Sequence, residues 1–263
     1  MTNQFEKEEM LAGGNISNVY RTGDSVRREL KKDSAKIHKL LKHLESKGFK
    51  YAPKLLGIDD KGREILTYIE GEAGNYPLKE YMWSNNVLAN IAKMLRRYHD
   101  AVSDFPYSDE WVPMVNTPYE AEVICHNDFA IYNIIFKDNK PVGIIDFDVA
   151  APGPRLWDIA YTLYTCVPLS RLKHNPKGEE IHYDTLTDAN YIKDRVKLFF
   201  ESYGMDGENF LEMVLLRLEG LCKYMIKMAR DGDVAFQTMI EQGHLEHYQK
   251  DITFIQDNGK DWI

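Results

Sequence analysis

The sequence predicts an α+β protein of two lobes, a small β-rich N-terminal lobe with one helix and a larger helical C-terminal lobe. Three observations lead there. Short extended runs separated by glycine turns are confined to residues 1–70. A stretch with two glycines and a proline, GEAGNYP at 71–77, follows them and is the predicted hinge. From residue 78 to 263 the apolar residues recur mostly at helical spacing, with a single hairpin at 122–148. At 263 residues the chain is long enough for one large domain or two lobes.

In order, Glu9–Ala12, Ser17–Arg21 and Ser25–Leu30 read as strands, the last two joined by the turn Thr22-Gly23-Asp24. A helix follows over 34–47, capped by Asp33 or Ser34, with Ile37, Leu40, Leu41 and Leu44 on one face and Gly48 ending it. Lys54–Asp59 and Arg63–Glu70 form another strand pair around Asp60-Lys61-Gly62. Beyond the hinge, Asn86–Val102 carries a helical stripe through Val87, Ile91, Met94, Leu95 and Tyr98. Residues 155–167, 188–203, 208–230 and 233–255 read as further helices.

Composition excludes several classes. Hydrophobic residues make up 44% and charged residues 28%, the balance of a globular protein and not of a disordered one. No apolar run approaches the ~18 residues of a membrane span, so no membrane partner is expected. The acidic, polar start MTNQFEKEEM lacks the pattern of a secretory signal, and Cys125, Cys166 and Cys222 are odd in number and far apart. Reduced thiols and a cytoplasmic location are the expectation. Charge is uneven: residues 1–70 hold 14 basic and 11 acidic side chains, whereas the whole chain nets −8. A basic N-terminal part suits phosphates, and an acidic remainder suits a cationic ligand or a solvated surface. No basic run interleaved with aromatics points to nucleic acid. Oligomeric state is not legible.

The most informative segment is CHNDFAIYNIIFKDNKPVGIIDFDVAAPGPRLWD, from Cys125 to Asp158. Strands Asn133–Phe136 and Val142–Phe147 around an Asp-Asn turn bring Asn133 and Asp146 to the same end of a hairpin. The loop His126–Tyr132 lies at that end and brings Asp128 near. Two carboxylates and an amide oxygen are hard ligands that suit Mg²⁺, which completes its shell with water and phosphate oxygens.

His126-Asn127-Asp128…Asn133 and Ile145-Asp146-Phe147-Asp148 resemble the catalytic loop and metal strand of kinase-like folds. Within that superfamily the chain resembles the aminoglycoside phosphotransferase and choline kinase family. The likeness is strongest at 8–70 and 120–165. It implies a bilobal protein-kinase-like fold and a Mg²⁺-dependent transfer of phosphate from ATP or GTP to a hydroxyl of a small molecule. It also implies Asp128 as catalytic base, Asn133 and Asp146 as Mg²⁺ ligands, and Asp158 as a structural acid bracing the catalytic loop. His126 is expected to support the loop, and Asp148 to bind backbone amides or assist the metal. The run from Gly13 to Arg28 is similar to a bacterial branch of phosphotransferases, some linked with antibiotic or bacteriocin immunity. From Asp146 the chain reaches Asp158 in 12 residues, which leaves no room for the activation segment of a protein kinase.

On the nucleotide side, the turn containing Gly14, Asn15 and Ser17 would lay backbone N–H groups over phosphates. By analogy with the family, Tyr68 and Ile69 in the hinge strand would offer backbone groups to the base. The family's strand lysine is missing. Val26, Arg28 and Leu30 share the inward face, and Arg28 takes the phosphate contact as a rigid fork. The family's helix glutamate has only Glu45 as a counterpart, with His38 nearby. This departure admits an alternative, a non-catalytic or weakly active immunity protein on the same fold. For the acceptor, the acids Glu208, Glu212, Glu219, Glu241, Glu246 and Asp251 would suit an amine such as an aminoglycoside or choline, but helical spacing is expected to turn most of them to solvent. Trp157, Tyr161, Tyr164 and Tyr224 are candidates for a cation–π box, with core packing the favoured reading for each.

Overall fold

The computed structural model describes residues 8–11, 19–118, 120–174 and 179–263. The N-terminal lobe is an antiparallel sheet of β1 (Glu9–Leu11), β2 (Val19–Thr22), β3 (Ser25–Glu29), β4 (Leu55–Ile58) and β5 (Arg63–Thr67), in the order β1-β2-β3-β5-β4. Helix α1 (Ser34–Ser46) buries Ile37, Leu40, Leu41 and Leu44, each contributing about 1.5–3 kcal/mol by transfer from water. Gly48 follows it with φ at 71°, a conformation that costs glycine little. Strand β3 stops at Glu29, so Leu30 lies outside the sheet and is 46% exposed. The inward face predicted for it holds only for Val26 and Arg28, which line the interlobe cleft.

The chain leaves the sheet through Gly71 and pairs β6 (Glu72–Ala73) with β8 (Ile134–Lys137), which in turn pairs with β9 (Lys140–Ile144). The turn between β8 and β9 is Asp138-Asn139, both at positive φ, the two-residue geometry that fits the right-handed twist of a hairpin. The interlobe segment thus lies flat on the C-terminal hairpin. A Cβ at Gly74 would sit 2.2 Å from the Ile131 carbonyl oxygen, and one at Gly71 2.4 Å from that of Phe136. Gly74→Ala should therefore destabilise the fold by about 1–3 kcal/mol through overpacking against backbone, read by chemical denaturation.

The C-terminal lobe is built on α2 (Asn85–Ala101), α3 (Arg155–Cys166), α4 (Thr185–Tyr203) and α5 (Phe210–Arg230), with α6 (Val234–Glu241) and α7 (His244–Asn258) packed on α5. The helix predicted over 233–255 is in fact two, because Gly243 takes φ at 85° and turns the chain between them. Two strand pairs escaped the sequence reading. They are β7 (Val123–Cys125) with β10 (Ala151–Gly153), and β11 (Leu172–His174) with β12 (Glu180–His182). Each is only three residues long, too short for an alternation pattern. No helix among the described residues is long and apolar enough to cross a membrane. Cys125, Cys166 and Cys222 are buried free thiols.

Candidate active site

Two loops, 126–133 and 145–150, are clamped between the β8–β9 ladder and the β7–β10 ladder. The acid predicted to brace them does so from the first turn of α3. Asp158, fully buried, accepts the His126 amide at 2.7 Å and the Asn127 amide at 2.9 Å, with His99 3.1 Å away. Burial pushes its pKa up, but His99, His126 and the amide bonds outweigh it and hold the carboxyl below its ordinary value. Asn127 sits at φ 64°, tolerable for asparagine, and all its polar groups are engaged. Its side chain donates to the Val149 carbonyl at 3.0 Å and accepts from Trp157 Nε1 at 2.8 Å, while its carbonyl accepts from Arg217 at 2.6 Å. His126 is kept neutral, its pKa lowered to about 4 by burial, and its Nδ1 accepts the Asp128 amide at 3.3 Å. That is loop support, as expected, and not base chemistry.

This frame brings Asp128, Asn133 and Asp146 to one end of the hairpin. Asn133 Nδ2 donates to Asp128 Oδ2 at 2.7 Å and to the Asp128 carbonyl at 3.0 Å, which leaves its amide oxygen as the open ligand atom. The Ile145 amide donates to the Asn133 carbonyl at 3.0 Å, so Asp146 follows directly beside it, at φ 66°. Such sparsely populated backbone angles in non-glycine residues concentrate at functional sites. Burial raises the Asp128 pKa to about 6, with the Asp146 charge adding to it and Tyr132, Arg217 and Asn133 opposing. Burial and the Asp148 charge likewise raise Asp146. An amide oxygen beside such a carboxylate fits a divalent cation that completes its shell from phosphate and water. Among the described residues no group of three or more His, Cys, Asp or Glu side chains forms a metal cluster.

The cleft between the lobes encloses about 320 Å³. Its roof is apolar, with Val19, Val26 and Leu66, and its floor carries Ile135, Ile145 and Phe147. Arg28, Tyr68, Ile69, Asn133 and Asp146 all line it. The Tyr68 amide is bonded to the Asp24 carbonyl at 2.8 Å. Gly14, Asn15 and Ser17 lie outside the described residues.

Arg28 is the centre of an ion cluster that spans both lobes. It grips both oxygens of Asp148, at 2.6 and 3.1 Å, reaches Asp146 at 3.5 Å, and bonds Glu64 through Nε. Lys31 adds a bond to Asp148 at 2.6 Å. Burial alone would lower the Arg28 pKa, but the three acids hold it well above its ordinary value. Burial pushes Asp148 up, and Arg28 and Lys31 overcome it, keeping that carboxylate ionised. Asp148 thus binds side-chain cations rather than backbone amides. Glu45 takes no part and pairs with Lys54 at the surface. The partner the sequence reading missed is Glu64, directly opposite Arg28 across β3 and β5 and only 1% exposed, with His38 of α1 2.6 Å away. The signal was present: Glu64 and Leu66 alternate onto one face of β5, and a charge on a core-facing strand position requires a partner.

Arg28→Lys should lose the fork, because an ammonium cannot span Glu64 and two Asp148 oxygens at once. The expected cost is about 1.5–3 kcal/mol of stability, the scale of a charge-assisted hydrogen bond, measured by denaturation, with a higher nucleotide KM.

Beside Asp128 tyrosines line up, starting from Tyr132 at the cleft wall. Tyr132 donates to Asp128 Oδ1 at 2.6 Å, and its hydroxyl lies 3.1 Å from that of Tyr161, which also bonds Tyr248 of α7. The four candidate aromatics form no cation–π box for a ligand, and core packing, the favoured reading, holds for Trp157, Tyr161 and Tyr164. Trp157 is fully buried, Tyr224 packs edge-on against Phe236, and the cation over Tyr161 and Trp157 is the protein's own Arg217, 4.4 and 5.4 Å from their centroids. Nor do the acids gather there. Glu208, Glu212, Glu241 and Glu246 are exposed, Glu219 is half-buried, and Asp251 is buried against Tyr164 and Arg171.

A small sheet over a helical lobe, with Asp128, Asn133 and Asp146 brought together beside the cleft, defines a protein-kinase-like fold. A model described as the phosphotransferase enzyme family matches residues 108–173. The trifolitoxin immunity protein of Rhizobium leguminosarum bv. trifolii is 32% identical over 201 residues, covering 74% of this chain and 73% of the relative. Amicoumacin kinase hAmiN in complex with AMP-PNP, Ca²⁺ and Ami superposes with a TM-score of 0.65 at 13% identity, over 95% of this chain and 88% of that one. The GDP complex of aminoglycoside 2′-phosphotransferase-IIIa gives 0.60 at 16% identity, over 95% and 94%. A choline/ethanolamine kinase family protein from Mesorhizobium loti gives 0.57 at 15%, over 95% and 93%. The chain belongs to the family of the trifolitoxin immunity protein, and its segment 108–173 matches the phosphotransferase enzyme family.

Proposed function

We propose that the protein transfers the γ-phosphoryl group of Mg²⁺-bound ATP or GTP to a hydroxyl of a small molecule, in the cytoplasm. The observation that carries the reading is the Asp128–Asn133 contact beside Asp146 at the mouth of a cleft whose opposite wall presents Arg28. Residues 1–70 act as the nucleotide lobe, 71–77 as the hinge and 78–263 as the catalytic lobe. The base lies between the apolar strands against the Tyr68–Ile69 backbone, and Gly14, Asn15 and Ser17 are assigned to the phosphates on sequence grounds. Asn133 and Asp146 hold Mg²⁺, which when bound supplies charge neutralisation at the phosphate oxygens. Asp128 orients the acceptor hydroxyl and takes its proton as the new P–O bond forms. Arg28 lies where it can exchange part of its grip on Asp148 for a phosphate oxygen. Nucleotide bound to the neighbouring kinase structures supports this placement.

The test is nucleotide consumption by the purified protein with ATP and with GTP, against a panel of hydroxyl compounds, with and without EDTA. Metal-dependent turnover stimulated by at least one acceptor is expected. Nucleotide binding without turnover on any acceptor would leave the fold as a binding module and overturn the reading.

A further inference from the structure

The loop that carries Asp128 is held from α5 by a cation. Arg217 of α5 is 2% exposed and sandwiched between Tyr161 and Trp157. One guanidinium nitrogen holds the Asn127 carbonyl at 2.6 Å, and Nε and Nη1 have no hydrogen-bond partner. A buried guanidinium with two unanswered N–H-bearing nitrogens is costly unless something completes it. Tyr132 links these surroundings to the interlobe cleft: it lines the cleft, donates its hydroxyl to Asp128 at 2.6 Å and lies 3.1 Å from the hydroxyl of Tyr161, whose ring is beneath Arg217. Among the described residues no carboxylate forms an ion pair with Arg217, whose charge acts on Asp128. Asp251, the nearest buried acid on α7, is already matched by the Tyr164 hydroxyl at 2.6 Å and by Arg171 at 3.6 Å.

A polycation would meet a like charge there. A quaternary ammonium would find the Tyr161 face already occupied. We infer that the acceptor is a hydroxyl compound bearing a carboxylate, received by Arg217 beneath the tyrosines Tyr132, Tyr161 and Tyr248. This rests on the phosphotransferase reading above and names its substrate class. Arg217 is then a specificity-determining residue and not only a brace for the catalytic loop.

The test compares matched acceptors that share one hydroxyl scaffold and differ only in a carboxylate, a carboxamide or an aminomethyl group, such as N-acetylserine, N-acetylserinamide and 2-acetamido-3-aminopropan-1-ol. Kanamycin and choline are added as cationic probes. The wild type should favour the carboxylate member at least tenfold in kcat/KM over the carboxamide, and more over the amine. Arg217→Gln should bring that ratio close to one, and Arg217→Lys should retain part of it. A residue that only braces the loop would slow all members alike and leave the ratio intact, and that result overturns the proposal. So does a preference for the amine, for kanamycin or for choline. Should the glutamine variant fail to fold, the ratio is read on the lysine variant. Acceptor-independent nucleotide hydrolysis, compared between wild type and Asp128→Asn, reports the underlying reading separately. If it depends on Asp128 and the carboxylate preference is missing, only the acceptor class falls. If no Asp128-dependent turnover of any kind occurs, the phosphotransferase reading falls and takes the acceptor class with it.

Discussion

Asp128→Asn lowers kcat by about 10²–10⁴-fold, the range of general base catalysis, equivalent to roughly 3–5.5 kcal/mol of transition-state stabilisation. The amide is isosteric, so the surrounding frame persists. Asp158 still holds the His126 and Asn127 amides, and Thr162 still donates to the Phe129 carbonyl at 2.8 Å. What disappears is the capacity to accept a proton. The two groups bonded to the carboxylate, Tyr132 and Asn133, are both donors, so one of them will face the new NH₂ and must turn aside. A modest fall in Tm beside a collapse in kcat is the expected pattern. A variant that keeps more than a tenth of wild-type turnover removes Asp128 from the role of base.

The same residue sets a pH dependence. Burial lifts its pKa to about 6, whereas an exposed aspartate titrates near 3.8. A base acts as the carboxylate, so kcat/KM should be level above about pH 6 and fall tenfold per unit below it. The sign for stability is opposite. Between the two pKa values the folded state holds a proton that the unfolded state has released. Stability from this group is therefore present on the acid side and lost as pH rises toward 6. Activity and stability titrating in opposite directions across one pH window would tie both to Asp128.

Much of this site could be read from the chain because its parts are local in sequence. A tight two-residue turn brings Asn133 and Asp146 to the same end of the hairpin, as its geometry requires. The register itself was not legible, because a bulge between Ile135 and Phe136 shifts it by one residue. Helix α1 was equally legible, since four apolar residues at i, i+3, i+4 and i+7 leave one face to bury. What stayed hidden depends on pairs distant along the chain. Arg28 meets Glu64 across a strand register that no periodicity specifies, and meets Asp148 only when the lobes face each other. Arg217 lies 90 positions from the Asn127 carbonyl it holds. On sequence alone it is one more polar residue in a helix whose other residues at that spacing, Val214 and Leu218, are core. The C-terminal acids, like helix α1, were legible: helical spacing was expected to turn most of them to solvent, and Glu208, Glu212, Glu241 and Glu246 are exposed.

Asp158→Asn is expected to cost about 3–5 kcal/mol, the scale for leaving a buried charged network unpaired, and to lower Tm by roughly 6–20 °C at about 2–4 °C per kcal/mol. Both carboxylate oxygens of Asp158 are in use. Oδ2 accepts the His126 amide and lies 3.1 Å from His99, and Oδ1 accepts the Asn127 amide. An asparagine must present its NH₂ to one of these sites, where a buried donor would then face another donor with no water to relieve it. The damage falls on the loop that carries Asp128, whose Asn127 already sits at positive φ and relies on its neighbours to stay there. A displaced loop should therefore depress kcat more than the nucleotide KM, because Arg28 and the base-binding strands belong to the other lobe. Acid behaviour separates this from general destabilisation. The folded-state carboxyl of Asp158 is held below its ordinary value. Its contribution is thus full above the unfolded carboxylate pKa and lost as pH falls through the lower folded one. The wild type should lose that increment on acidification, and the asparagine variant, which has no proton to take up at this position, should not.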